Sequence, residues 1–246
     1  METHRNFQTL KGKVAIITGA SRGLGAGFAY ELAKRGAKVV ATYTSPSSEK
    51  LVKELSDKIA SLDPPSECIG VKADLKDESS PAEIVRQAVA AFGSQIDILV
   101  NNAGMEVDKS HADITTSDFD SIFYLNVRAP LLLLQVVKPY LPSSGGGRII
   151  NISPVGARCG FKNLSLYCAS KAALEGLTRS WAAELGERAI RSMRLTLDPF
   201  KVILMSEVEG DNDMTVMGSV CTIPITELFL QVVTSRMGQH IPVIGM

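Results

Sequence analysis

The sequence carries no excess of either charge: 26 Lys and Arg are balanced by 26 Asp and Glu over 246 residues. A nucleic-acid partner would require a cationic surplus to neutralise phosphates, so that class is set aside. Cysteine is sparse. Cys68, Cys159, Cys168 and Cys221 show neither CxxC nor His-paired spacing, so no metal site is expected and the thiols read as reduced. Long apolar runs are also missing. LLLLQVV at 131–137 falls short of the ~20 residues that cross a bilayer, so no membrane partner is expected. The stretch METHRNFQTLKGK at 1–13 is polar and lacks the apolar segment of an export signal, so the expected location is cytoplasmic. There is no internal repeat and no low-complexity linker.

What remains is ordinary soluble composition, 45% hydrophobic and 21% charged, in a length that suits one α/β domain. KVAIITG at 13–19 and KVVATY at 38–43 are β-branched apolar runs, read as strands buried on both faces. CIGVKAD at 68–74, IDILVNNAG at 96–104 and RIINIS at 148–153 extend the series. Helical spacing is read over 24–35, closed by Gly36, over 47–61, from Pro81 to Phe92, over 117–141 and over 165–186. Strand and helix alternate, which predicts a doubly wound, Rossmann-like parallel sheet with helices on both faces, and ligands at the carboxyl ends of its strands.

The motifs fall at those ends. Thr18-Gly19-Ala20-Ser21-Arg22-Gly23-Leu24-Gly25 joins the first strand to the first helix. Glycines there permit a tight turn and close backbone approach to a pyrophosphate at a helix amino terminus. Asn101-Asn102-Ala103-Gly104 closes the fourth strand, and Asp74 closes the third. Tyr167 and Lys171 are one helical turn apart and share a face. A free tyrosine titrates near ~10, and an ammonium beside it would favour the phenolate.

At these intervals the chain resembles the short-chain dehydrogenase/reductase family, densely from about residue 10 to 191. The resemblance implies an NADP(H)-binding catalytic body over 1–191 and a divergent segment of the same domain over 192–246. It implies that Tyr167 donates the proton to a carbonyl oxygen, that Lys171 holds the nicotinamide ribose and tunes Tyr167, and that Asn126 anchors a water in the proton relay. By the same resemblance Gly19, Ser21, Arg22, Gly23, Leu24, Gly25, Thr42, Ser45, Asp74, Asn101, Ala103 and Gly104, with Tyr167 and Lys171, line the cofactor cleft. The second strand runs into Ala41-Thr42-Tyr43-Thr44-Ser45, with no acid to accept from a ribose 2′-OH. Arg22 is placed to face a 2′-phosphate, so NADP(H) is expected over NAD(H).

The chain departs from the family in two places. Where the family has its catalytic Ser, thirteen residues before the Tyr, this chain has Pro154, which has no hydroxyl. Ser153 is adjacent, but it could serve only if the strand end were rotated or bulged. The family's next strand and Pro-Gly turn are not visible over 192–236. A permitted codon set for SMRLTLDPFKVILM at 192–205, read from the third base of the Ser192 codon, gives Asn-Ala-Val-Asn-Pro-Gly-Pro-Phe-Gln-Ser-Asp-Ile. That is close to the missing strand and turn, and the tail reads as displaced by a frame slip. Residues 219–233 reframe to a weaker match with the family's next helix, and 238–245 resemble its last strand directly. The expected activity is interconversion of a ketone and a secondary alcohol on a small molecule. A catalytically impaired nucleotide-binding relative is the alternative, and a homo-oligomer weakened by the tail is expected. A hydrolase is disfavoured, because there is no GxSxG turn.

Overall fold

The computed structural model describes residues 8–187, 189–197, 202–205 and Val233. Among these residues, seven strands form one sheet in the order β3-β2-β1-β4-β5-β6-β7. The strands are β1 (Val14–Ile17), β2 (Lys38–Tyr43), β3 (Cys68–Lys72), β4 (Ile98–Asn101), β5 (Arg148–Pro154), β6 (Arg191–Leu197) and β7 (Val202–Met205). The first six pair in parallel, and β7 runs antiparallel to β6. The helices are α1 (Gly23–Lys34), α2 (Pro46–Ala60), α3 (Ser80–Phe92), α4 (Thr116–Phe123), α5 (Ala129–Val137), α6 (Gly156–Cys159) and α7 (Ser165–Gly186).

The continuous apolar strands are buried on both faces, as parallel sheets require. Ala15, Ile17, Val39, Ala41, Val100 and Ile150 pack against Phe28 and Leu32 of α1 and Val52 and Ile59 of α2. Ile16, Val40, Leu99 and Ile149 point to the other face, against Ile84 of α3, Leu133 of α5 and Trp181 of α7. Strand order reverses between β1 and β4, where the carboxyl ends open a crevice.

Two expectations are corrected. The helix expected over 117–141 is interrupted: α4 gives way at Tyr124–Arg128 to a π-helical turn, and α5 resumes at Ala129. The interrupted stretch Thr116–Tyr140 is the one described helix whose length and composition would suit a bilayer. Here Ala129, Leu133, Leu134 and Val137 lie in the core beside the sheet. The second correction concerns residues 192–236, where no strand was expected. Residues 191–197 pair along the whole of β5, from Arg148↔Arg191 to Pro154↔Leu197. The Ser-Met-Arg-Leu-Thr-Leu run alternates polar and apolar residues, a period-2 pattern that suits a strand. The expectations for 206–232 and 234–246 lie outside the described residues.

A buried carboxylate fixes the start of the central strands. Asp97 accepts from the Val14 backbone N–H at 3.0 Å, from Lys13 Nζ at 2.9 Å and from Gln95 Nε2 at 2.8 Å. Asp97→Ala would leave a buried N–H without its acceptor. A loss of roughly 1–3 kcal/mol in unfolding free energy is expected, read from the denaturant midpoint at unchanged slope.

Candidate active site

The glycine turn between β1 and α1 is braced from β4. Thr18 Oγ1 accepts from the backbone N–H groups of Asn102 and Ala103, both at 3.0 Å. Asn102 Nδ2 donates to the carbonyls of Thr18 (2.9 Å) and Gly19 (3.1 Å). A Cβ on Gly25 would run into the Gly19 carbonyl oxygen and the Asn102 amide, so only glycine lets α1 come this close to the turn. Ser21 is half-buried, and Arg22, Gly23 and Leu24 are exposed on the turn. This narrow backbone cradle at a helix amino terminus suits a pyrophosphate.

The end of β2 behaves differently from expectation at Thr42. Its hydroxyl is buried and accepts from Gly19 N at 3.1 Å, while its carbonyl accepts from Ala20 N at 2.9 Å. Thr42 therefore shapes the turn from behind. Ser45 caps α2 by accepting from Ser48 N at 3.2 Å, and its hydroxyl meets those of Ser47 and Ser48, each at 2.9 Å. Three hydroxyls thus gather at a helix amino terminus beside the glycine turn. Asp74 is exposed, and its carboxylate accepts from Lys76 N at 3.0 Å.

Asn101 is buried in the sheet. Its Nδ2 donates to Asn151 Oδ1 (2.7 Å), Asn151 Nδ2 donates to Thr178 Oγ1 (2.8 Å), and that hydroxyl donates to the Leu174 carbonyl (2.7 Å). The chain runs from β4 through β5 to α7 and sets the helix that carries Tyr167 and Lys171.

Asn126 sits in the π-helical turn and is fully buried. The Ala129 N–H reaches back to the Tyr124 carbonyl, an i→i+5 bond. Pro130 lacks the N–H that would close on the Asn126 carbonyl in a regular helix. The Asn126 side chain is fully used. Oδ1 accepts from Met105 N (2.9 Å), and Nδ2 donates to Met105 O (2.9 Å) and Ser170 Oγ (3.0 Å). Ser170 donates in turn to the Tyr167 carbonyl at 2.8 Å. A Cβ on Gly104 would lie 3.2 Å from both Asn126 Oδ1 and Lys171 Nζ. Gly104, Asn126, Ser170 and Lys171 are therefore brought together, with Tyr167 one turn before Lys171.

The electrostatics correct one expectation. Lys171 is buried, Nζ donates to the Ile152 carbonyl at 2.9 Å, and burial pulls its pKa down to about 8. Tyr167 is not drawn toward the phenolate. Burial raises its pKa, and the Glu106 carboxylate raises it further. The phenol keeps its proton at neutral pH, as suits a proton donor.

Ser153 is placed away from the role considered for it. β5 pairs with β6 in unbroken register through Ser153↔Thr196, so the strand end is not bulged. The Ser153 hydroxyl is buried and donates to Glu175 Oε1 at 3.0 Å. Glu175 also receives Arg158 Nε and Arg194 NH1, each at 3.3 Å. Thr18, Ser170 and Glu175 join the site only in three dimensions. Thr18 and Ser170 lie inside the motifs and offered a signal; Glu175 offered only its place one turn after Lys171.

Burying Lys171 couples its titration to stability. Between pH 8 and 10.5 the unfolded chain holds a proton that the folded chain has released, so stability rises with pH across that window. Lys171→Met is expected to flatten this rise. The check is denaturant unfolding of both proteins from pH 7.5 to 10.5.

A family model described as short chain dehydrogenase matches residues 13–212. Among curated proteins, the hydroxynaphthalene reductase-like protein Arp2 of Metarhizium majus is 43% identical over 184 residues, 74% of this chain and 66% of that protein. The L-xylo-3-hexulose reductase of Hypocrea jecorina is 42% identical over 195 residues, 73% of this chain and 64% of its own length. The chain thus spans just under two thirds of the length of these relatives. Among solved structures, a blue fluorescent protein from a metagenomic library in complex with NADPH superposes with a TM-score of 0.71 at 37% identity, over 76% of this chain and 74% of that one. A metagenomic short-chain oxidoreductase in complex with NADP gives 0.74 at 28% identity, over 95% and 96%. With the family model covering most of the sequence and these likenesses beside it, the chain belongs to the short chain dehydrogenase family.

Proposed function

We propose that the protein is an NADP(H)-dependent oxidoreductase that interconverts a ketone and a secondary alcohol on a small molecule. The observation that carries the reading is the packing of Gly104, Asn126 and Lys171 around one point, a helical turn from Tyr167. That point lies at the carboxyl end of the sheet that also carries the glycine cradle.

The residues present fit the cofactor. The turn closed by Gly25 leaves room for a pyrophosphate, and exposed Arg22 with the hydroxyls of Ser45, Ser47 and Ser48 offers donors to a 2′-phosphate. The NADPH and NADP complexes of the similar structures support the same choice. When bound, NADPH supplies the hydride. Tyr167, held as a neutral phenol by burial and by Glu106, gives its proton to the carbonyl oxygen. Lys171 holds the ribose and passes a proton toward Tyr167. With its side chain spent on Met105 and Ser170, Asn126 has its backbone carbonyl to offer a relay water, and Pro130 lacks the N–H that would take that carbonyl in a regular helix.

Pro154 supports a second reading, an enzyme of reduced rate. The oxyanion has lost one donor, and Ser153 is committed to Glu175. In the reductive direction Tyr167→Phe is expected to lower turnover by roughly 10²–10⁴ with cofactor affinity retained, measured by nicotinamide absorbance and by fluorescence titration. Arg22→Ala should weaken NADPH by about tenfold and leave NADH unchanged; equal affinities in the parent would overturn the NADP(H) choice. Pro154→Ser is expected to raise the reduction rate by up to roughly 10²–10³. A gain in Pro154→Ser together with an unaltered Ser153→Ala assigns the deficit to position 154.

A further inference from the structure

We propose that Arg128 is a positioning residue that holds the loop at 74–78 from the π-helical turn that carries Asn126, and with it the end of the cofactor cleft where, as the family resemblance implies, Asp74 meets the adenine ring. The proposal rests on the NADP(H) reading above. Arg128 closes that turn, and its guanidinium reaches across about fifty residues of sequence. NH1 donates to Glu78 Oε1 at 2.7 Å and NH2 donates to the Lys76 carbonyl at 2.6 Å. The guanidinium carbon lies 3.9 Å from the centroid of the Tyr124 ring, one turn back.

The loop it grips is the one that presents Asp74. Asp74 Oδ1 accepts from Lys76 N at 3.0 Å, and the Asp74 carbonyl accepts from Asp77 N (2.9 Å) and Ser80 Oγ (2.7 Å). Lys76 is thus held at its N–H by Asp74 and at its carbonyl by Arg128. The loop leaves β3 beside the end of β2, where Ala73 N donates to the Tyr43 carbonyl at 2.8 Å. An ion pair to Glu78 alone would count for little, because that carboxylate is 71% exposed. The bond to a backbone carbonyl and the stacking on Tyr124 give the contact its geometry. Making both contacts at once, with the Glu78 bond, uses the planar fork of a guanidinium, which an ammonium does not reproduce.

The π-helical turn thereby serves two ends of one cleft. Through Asn126 it clamps Met105 and Ser170 beside Lys171, and through Arg128 it clamps the loop of Asp74. Arg128 touches no reacting atom, so its effect belongs in cofactor affinity.

The test compares the parent protein with Arg128→Ala and Arg128→Lys by calorimetric titration of NADPH, 2′,5′-ADP and reduced nicotinamide mononucleotide, alongside steady-state kinetics and melting curves. Arg128→Ala is expected to weaken NADPH and 2′,5′-ADP by roughly three- to tenfold, the scale of one net hydrogen bond. The KM for NADPH should rise in step, with kcat and affinity for the mononucleotide within twofold of the parent. Arg128→Lys should recover only part of the loss, and it decides the matter should Arg128→Ala not fold. Unchanged 2′,5′-ADP affinity in both variants would overturn the proposal, as would a fall confined to kcat or to melting temperature. A parent protein that binds neither NADPH nor 2′,5′-ADP would overturn the cofactor reading itself, and this inference with it.

Discussion

The carboxamide of Asn102 reaches back from the end of β4 to the carbonyls of Thr18 and Gly19, while Thr18 returns the contact through its hydroxyl. This reciprocal brace holds the loops after β1 and β4 at a fixed separation on either side of the point where strand order reverses. Everything at the carboxyl edge depends on that separation. Gly25 can approach the turn because no side chain intervenes, and α1 then presents its amino terminus to the crevice. Loops are the usual place for function and for mobility. Here side-chain hydrogen bonds from Thr18 and Asn102 tie the two loops to each other.

A second brace sets the other half of the site. The amide chain Asn101–Asn151–Thr178 crosses from β4 through β5 into α7, and the Asn126 side chain joins the α4–α5 turn to Met105 and Ser170. Each of these buried polar groups has its partner, as a low-dielectric interior demands. The consequence is a rigid platform on which Lys171 is desolvated. Its ammonium is turned to the Ile152 carbonyl. Tyr167 meanwhile remains a neutral phenol.

Much of this was legible in the sequence, for reasons that differ by element. The strands β1, β2 and β4 are runs of β-branched and aliphatic residues bounded by glycine or asparagine, and few other structures bury such runs. α7 was delimited correctly because its apolar positions repeat at helical spacing over six turns. The interruption at Tyr124–Arg128 was not foreseen, although Pro130 was visible. A proline marks a local fault in a helix, but whether the chain kinks, ends or widens into a π turn depends on what Asn126 finds across the cleft. β6 carries no family motif, but pairing with β5 asks only for an alternating run of the right length.

The alternation of apolar strand runs with helical spacing determined that this chain would form a parallel sheet with a crevice at the carboxyl ends of its strands. The spacing of Tyr167 and Lys171 determined that both would lie on one helical face, because a helix repeats every 3.6 residues wherever it is placed. The tertiary structure decided which polar groups would be spent on the scaffold and which left for chemistry. Thr42, Asn101 and Ser153 look like site residues in one dimension, yet each hydroxyl or amide is consumed by a partner from a distant element: Gly19, Asn151 and Glu175. Sequence spacing carries no information about those partners, since a hydrogen bond is made by groups about 3 Å apart in space. The pKa of Tyr167 was decided in the same way, by burial and by a carboxylate sixty-one residues earlier in the chain, rather than by the lysine one turn away.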